Sequence, residues 1–142
     1  MHRWCSLHPI MDRLLADMLP HTDIASFVRP QMLGLLLDRW YGDQPRTTAL
    51  RQTLFYCLSH LQPEHVELID AAHKKQLYFE LQRKRNDPYL VCAILKGLAG
   101  IEDRTPVADI ILLADGKRSA VEFPQIQTAA REYLLALDNC LL

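Results

Sequence analysis

The stretch Asp87-Pro88-Tyr89-Leu90-Val91-Cys92-Ala93-Ile94-Leu95-Lys96-Gly97-Leu98-Ala99-Gly100 carries every mark of one helix. Asp87 is a good N-cap, because its carboxylate can accept from an N–H that the first turn leaves unpaired. Pro88 suits the first helical position, where its missing N–H costs nothing. Gly100 stands where a left-handed C′ residue is expected to stop the helix. The same punctuation recurs on both sides. Thr105-Pro106 precedes an apolar run from Val107 to Ala114 that Asp115-Gly116 ends, Gln62-Pro63-Glu64 opens an earlier run, and Pro124 opens the last.

Working outward, the spacing predicts helices over 9–19, 23–28, 30–41, 46–61, 63–85, 88–99, 106–114 and 124–138. Leu50, Leu54, Cys57, Leu58 and Leu61 form a stripe at three-and-four spacing, as do Ile126, Ala129, Ala130, Tyr133, Leu134 and Leu137. No useful segment alternates strictly, and no Asn-Gly or Asp-Gly joins two β-branched runs as a hairpin would. The fold class is all-α. Short connections make successive helices antiparallel neighbours, which leaves two architectures: stacked helix pairs or a compact helical bundle.

The turn Leu98-Ala99-Gly100-Ile101-Glu102-Asp103, the short helix after Thr105-Pro106, and Ala129-Ala130-Arg131-Glu132-Tyr133-Leu134 together resemble HEAT-like repeats of the kind common in bacterial proteins. The resemblance is best over residues 87–137, and a weaker echo runs from Ala49-Leu50-Arg51-Gln52 into Pro63-Glu64-His65-Val66. It implies antiparallel pairs stacked as a short α-α superhelix, in one domain spanning residues 1–142. Residues 46–142 would form the pairs, and residues 1–45 would be divergent or capping helices. Small residues at Ala93, Gly97, Ala129 and Ala130 would let neighbouring helices approach closely. The resemblance further implies an interaction scaffold without chemistry of its own.

Bulk properties bound the function. The chain has 142 residues, 49% of them hydrophobic, which suffices for one core and excludes wholesale disorder. A formal charge of −1 gives no overall pull toward nucleic acid or anionic lipid, so such a partner would need a local patch. No apolar run is long enough to span a bilayer, so no membrane partner is expected. Met1-His2-Arg3-Trp4-Cys5 lacks the charged start and apolar block of a signal peptide. The four cysteines, Cys5, Cys57, Cys92 and Cys140, are scattered, so a soluble, cytoplasmic protein is expected.

Catalytic and metal readings are weak. His2, Cys5 and His8 form one group, and Cys57, His60 and His65 another, but neither supplies the paired motifs of a tetrahedral zinc site. Ser59 and His60 are adjacent on a helix, so their side chains diverge by about 100°. Thr47, Thr48 and Asp70 complete no recognisable nucleophile set, and no elbow, P-loop or dinucleotide fingerprint is present. Glu64, Glu67 and Asp70 share a face, yet acids in a helix's first two turns are explained by its dipole, and Asp70 could pair with Lys74. No enzyme, cofactor or metal is expected.

The strongest surface feature is basic. Lys74, Lys75, Arg83, Lys84 and Arg85 follow the acidic start of the helix expected over 63–85, a polarity that itself stabilises a helix, with Glu80 and Lys84 as a favourable pair. Lys75, Tyr78, Gln82 and Arg85 recur at i, i+3, i+7 and i+10, and with Lys74 they make a candidate strip for an acidic protein segment. Nucleic acid is the alternative partner. At the C-terminus, Leu134, Leu135, Leu137, Leu141 and Leu142 point in several directions. Either they fold back onto the previous pair, or they form a patch that a second copy or a partner domain would cover.

Overall fold

The computed structural model describes the backbone of residues 30–141 and the side chains of residues 31–138. The helices expected over 9–19 and 23–28, and the His2, Cys5 and His8 group, lie outside the described residues. A 3-10 turn, Pro30–Met32, leads into α1 (Leu33–Trp40), followed by α2 (Thr48–Ser59), a 3-10 turn Pro63–Leu68, and α3 (Ala71–Gln82). Then come α4 (Pro88–Gly100), α5 (Val107–Ala114), a 3-10 turn Arg118–Val121, and α6 (Pro124–Leu141). Among the described residues there is no strand, and the chain is all-α.

Local chemistry sets these limits. Thr47 caps α2 by accepting from the Leu50 N–H at 3.0 Å. Asp87 caps α4 by accepting from the Tyr89 N–H at 2.9 Å, with Pro88 in the first turn. α5 ends in paired bonds from Gly116 N–H to the Leu113 carbonyl (3.0 Å) and from Lys117 N–H to the Leu112 carbonyl (3.0 Å). Gly116 takes the left-handed conformation this closure needs, at φ 79°.

Two expectations are corrected. The helix expected over 63–85 is two pieces. Ile69 is 4% exposed and extended at ψ 111°, so burying it turns the chain out of helical geometry. Asp70 then caps a new helix by accepting from His73 N–H at 2.8 Å, and so Glu64 and Glu67 belong to the 3-10 turn rather than to α3. Second, Gly100 is not the left-handed C′ residue. It is the last residue of α4, and Glu102 takes that role at φ 56°. Glu102 N–H donates to the Ala99 carbonyl (3.1 Å) and Asp103 N–H to the Leu98 carbonyl (2.9 Å), the paired closure of a Schellman turn.

Gly100 serves close approach instead. A Cβ there would lie 2.1 Å from the Leu61 carbonyl oxygen, and one at Gly97 would lie 2.6 Å from that of Leu58. α4 therefore lies almost against the C-terminal end of α2. It packs on α2 along one side and α6 along the other, while α3 touches both α4 and α5, α5 packs on α6, and α1 closes the near end on α2. Helices two apart in the chain are thus neighbours, with α2, α4 and α6 on one side and α3 and α5 on the other. The leucine stripe of α2 is buried, and Ile94, Leu95, Ile110, Leu113, Ile126, Ala130 and Tyr133 continue the same core.

Candidate functional site

α3 presents its two faces very differently. Inward, Leu77 and Leu81 are buried, and His73 carries its Nε2 to within 2.7 Å of Asp38 Oδ1 on α1. Toward α5, the Tyr78 hydroxyl donates to the Asp103 carboxylate, and Gln82 Nε2 lies 3.4 Å from Asp109 Oδ2. Two members of the expected strip are therefore occupied by intramolecular bonds. Lys75 is exposed and Lys74 half-buried. Arg85 lies beyond the end of α3, its side chain 88% exposed and 3.9 Å from Glu122, so the strip does not continue along one helix to Arg85.

Sequence reasoning passed over Phe79. It is 60% exposed, one turn after Lys75 and on the same face. The local signal is an aromatic at i+4 from Lys75, outside the strip traced through Lys75, Tyr78, Gln82 and Arg85. Glu80 was expected to pair with Lys84. Instead it is 4% exposed, with Oε2 accepting from Asn86 Nδ2 at 2.7 Å and Arg83 Nη1 3.6 Å from Oε1. Asp70 is committed to its cap rather than to Lys74.

The second histidine group does not converge. Cys57 is buried, which pushes its thiol up to about 11. His60 lies with Nδ1 2.8 Å from the Tyr56 carbonyl and its ring stacked on Tyr56, while His65 Nδ1 accepts from Gln62 N–H at 3.0 Å. Among the described residues no three His, Cys, Asp or Glu side chains are placed to hold a metal. Of the C-terminal leucines, Leu137 is buried, Leu134 half-buried and Leu135 63% exposed, while the side chains of Leu141 and Leu142 lie outside the described residues.

A polar corner forms where the end of α1, the start of α2 and the loop after α3 meet. Arg46 donates its Nε to the Trp40 carbonyl at 2.9 Å and lays its guanidinium over the Trp40 ring, 4.2 Å from the centroid. Arg51 Nη2 lies 2.6 Å from Asp87 Oδ2, and its guanidinium sits 5.1 Å from the Phe55 centroid. Behind them, burial and then the Glu80 charge push the Tyr41 phenol well above its ordinary range. The corner forms a hollow of about 300 Å³ that is open to solvent. No local pattern announces it, since its side chains come from positions 40 to 90.

Asp103 joins three elements. Its carboxylate accepts from Tyr78 on α3 and from the Thr105 N–H (3.0 Å), and its carbonyl accepts from the Tyr133 hydroxyl on α6. Burial is the first cause that pushes both phenols up to about 12, with Asp103 adding to each. An unfolded tyrosine titrates near ~10. The neutral phenols therefore contribute their full stability below about pH 10, and lose it as pH rises through about 12. We expect the urea midpoint to hold up to about pH 10 and fall between about 10 and 12. A midpoint flat across that window would contradict the assignment.

Fold and site together define an all-α protein with, among the described residues, no helix long and apolar enough to cross a membrane. No family model matches the chain, nor does any curated protein or solved structure.

Proposed function

We propose that this chain is a non-enzymatic, HEAT-like helical-repeat scaffold that binds another protein through the outward face of α3. The observation that carries the reading is Phe79, a large aromatic 60% exposed beside the exposed Lys75, on a helix whose other faces are held by α1 and α5. Anchors of this kind, an aromatic that a partner can desolvate with a cation at the rim, carry most of the energy of protein interfaces. The partner is an acidic segment with an apolar side chain to cover Phe79, and Lys74 and Lys75 steer it. The neighbour relation between helices two apart supports a superhelical stack.

The test is affinity capture from native lysate with wild type, Phe79→Ser and Lys75→Glu, each checked by circular dichroism. Phe79→Ser should weaken recovery of a specific protein by about tenfold or more, the loss of one interface anchor. Lys75→Glu should weaken it less, and more at low salt than at high. Arg85→Glu, lying past the helix end, should have the smallest effect. Equal recovery by all variants would remove α3 from the interface. Recovery of nucleic acid with a steep salt dependence would favour the basic face as a nucleic-acid module instead.

A further inference from the structure

We propose that the end of the molecule formed by α5 and α6 is the interface of a two-fold homodimer. The interface is separate from the α3 surface and stands whether or not that surface binds a partner. It begins with a side left open. α4 lies along α6 at Ala129 and Ala136, which line the groove between the two helices. Arg131 and Asp138 follow those alanines by two residues each, about 200° round the helix, and so point away from α4. On α5, Asp109 is turned toward α3, where it meets Gln82. Val107 and Ile111 stand two residues either side of Asp109 and point away from α3 by the same count. Among the described residues, the helices that pack on α5 and α6 are α3, α4 and each other.

The open side is apolar at its centre. Leu135 is 63% exposed and Ile111 45%, while Val107 is exposed and Leu134 half-buried. A helical stack that ends in solvent ends on a polar face, and grouped apolar side chains on a surface mark an interface.

Charge selects a second copy as the occupant. Arg131 and Asp138 are exposed and of opposite sign, seven residues or about 10 Å apart along this side of α6, with Leu134 and Leu135 between them. Arg131 spends its Nε on the Ala114 carbonyl at 3.3 Å, and among the described residues neither it nor Asp138 has an ion-pair partner. The order plus, leucine, leucine, minus is its own complement when read backwards. A two-fold axis between Leu134 and Leu135 makes two α6 helices antiparallel, sets each Arg131 opposite Asp138 of the other copy, and packs leucine on leucine. Both ion pairs close at once, which is the self-complementarity that a two-fold interface requires.

α5 fits the same axis. Arg131 Nε meets the Ala114 carbonyl, and Arg104 Nη2 meets the Leu137 carbonyl at 3.1 Å. The level of α6 midway between Arg131 and Leu137 therefore lies beside the level midway between Arg104 and Ala114. Those midpoints are Leu134 and Asp109, and Asp109 is also the centre of the Val107 and Ile111 pair. The axis thus sets Val107 of each copy against Ile111 of the other. Two separate stretches of sequence place it at one level.

Sedimentation velocity of the full chain tests this. Wild type is expected to show a monomer–dimer equilibrium with a Kd on the order of 10 μM, the strength of a small interface. Arg131→Glu and Asp138→Arg should each weaken the dimer at least tenfold, because like charges then meet across the axis. Mixed in equal amounts, the two variants should associate with each other about as well as wild type with itself, since every pair across the axis again joins opposite charges. A fault in the fold of either variant could not be repaired in this way. Phe79→Ser, on α3, should leave the dimer unchanged. A wild type that stays monomeric at about tenfold above that Kd, or a mixture no better associated than its components, overturns the proposal. A dimer that both charge variants leave intact uses another face and overturns it as well.

Discussion

Gly100→Ala should lower stability by about 2 kcal/mol and the melting temperature by roughly 8 °C, despite placing the best helix former in a helix. Two effects oppose each other. Replacing glycine by alanine in a helix gains at most about 1 kcal/mol. Against it, the new methyl would sit 2.1 Å from the Leu61 carbonyl oxygen, which is backbone and cannot swing aside. Forcing α4 and α2 apart is an overpacking of about 3 kcal/mol, so the clash wins. Thermal denaturation of the variant beside Lys96→Ala, an exposed position on the same helix, isolates the effect. If Gly100→Ala melted at or above the wild-type temperature, the close approach of these helices would be wrong.

Asp103→Ala should cost about 2 kcal/mol. The carboxylate accepts from Tyr78 and from the Thr105 N–H, and bonds to a charged acceptor are worth about 1.5–3 kcal/mol when one partner is removed. Thr105 is exposed and water replaces its bond, so the Tyr78 contact carries most of the loss. The contribution of Tyr133 survives, because its acceptor is the Asp103 carbonyl. Combining Asp103→Ala with Tyr78→Phe in a double-mutant cycle should show non-additivity of about 1 kcal/mol or more. Additive losses would mean that the two groups do not interact.

What was legible in the sequence was what a few consecutive residues decide. Asp87-Pro88, Asp115-Gly116 and Pro124 mark their helix limits because caps and prolines act within one turn. The break at Ile69-Asp70 was not legible. An acidic residue among Glu64 and Glu67 looks like part of a helix start, and only the burial of Ile69 against distant residues reveals the extended step. Gly100 was correctly marked as special but for the wrong cause, since its neighbour across the gap is Leu61 rather than its own chain. Of the basic strip, Lys75 is on the surface as expected. Tyr78 and Gln82 are taken by Asp103 and Asp109, whose proximity is tertiary. The arginine corner was invisible for the same reason.

The position of α4 also sets the order in which the molecule comes apart. It is the one described helix flanked by a neighbour of its own layer on each side, and Ile94 and Leu95 within it are fully buried. Fraying from the α1 end must first release α2, and fraying from the other must first release α6. Either way α4 keeps one partner until the last cooperative step. Its amide protons belong to the global unfolding event, and the outer helices to smaller openings that leave this central rod in place.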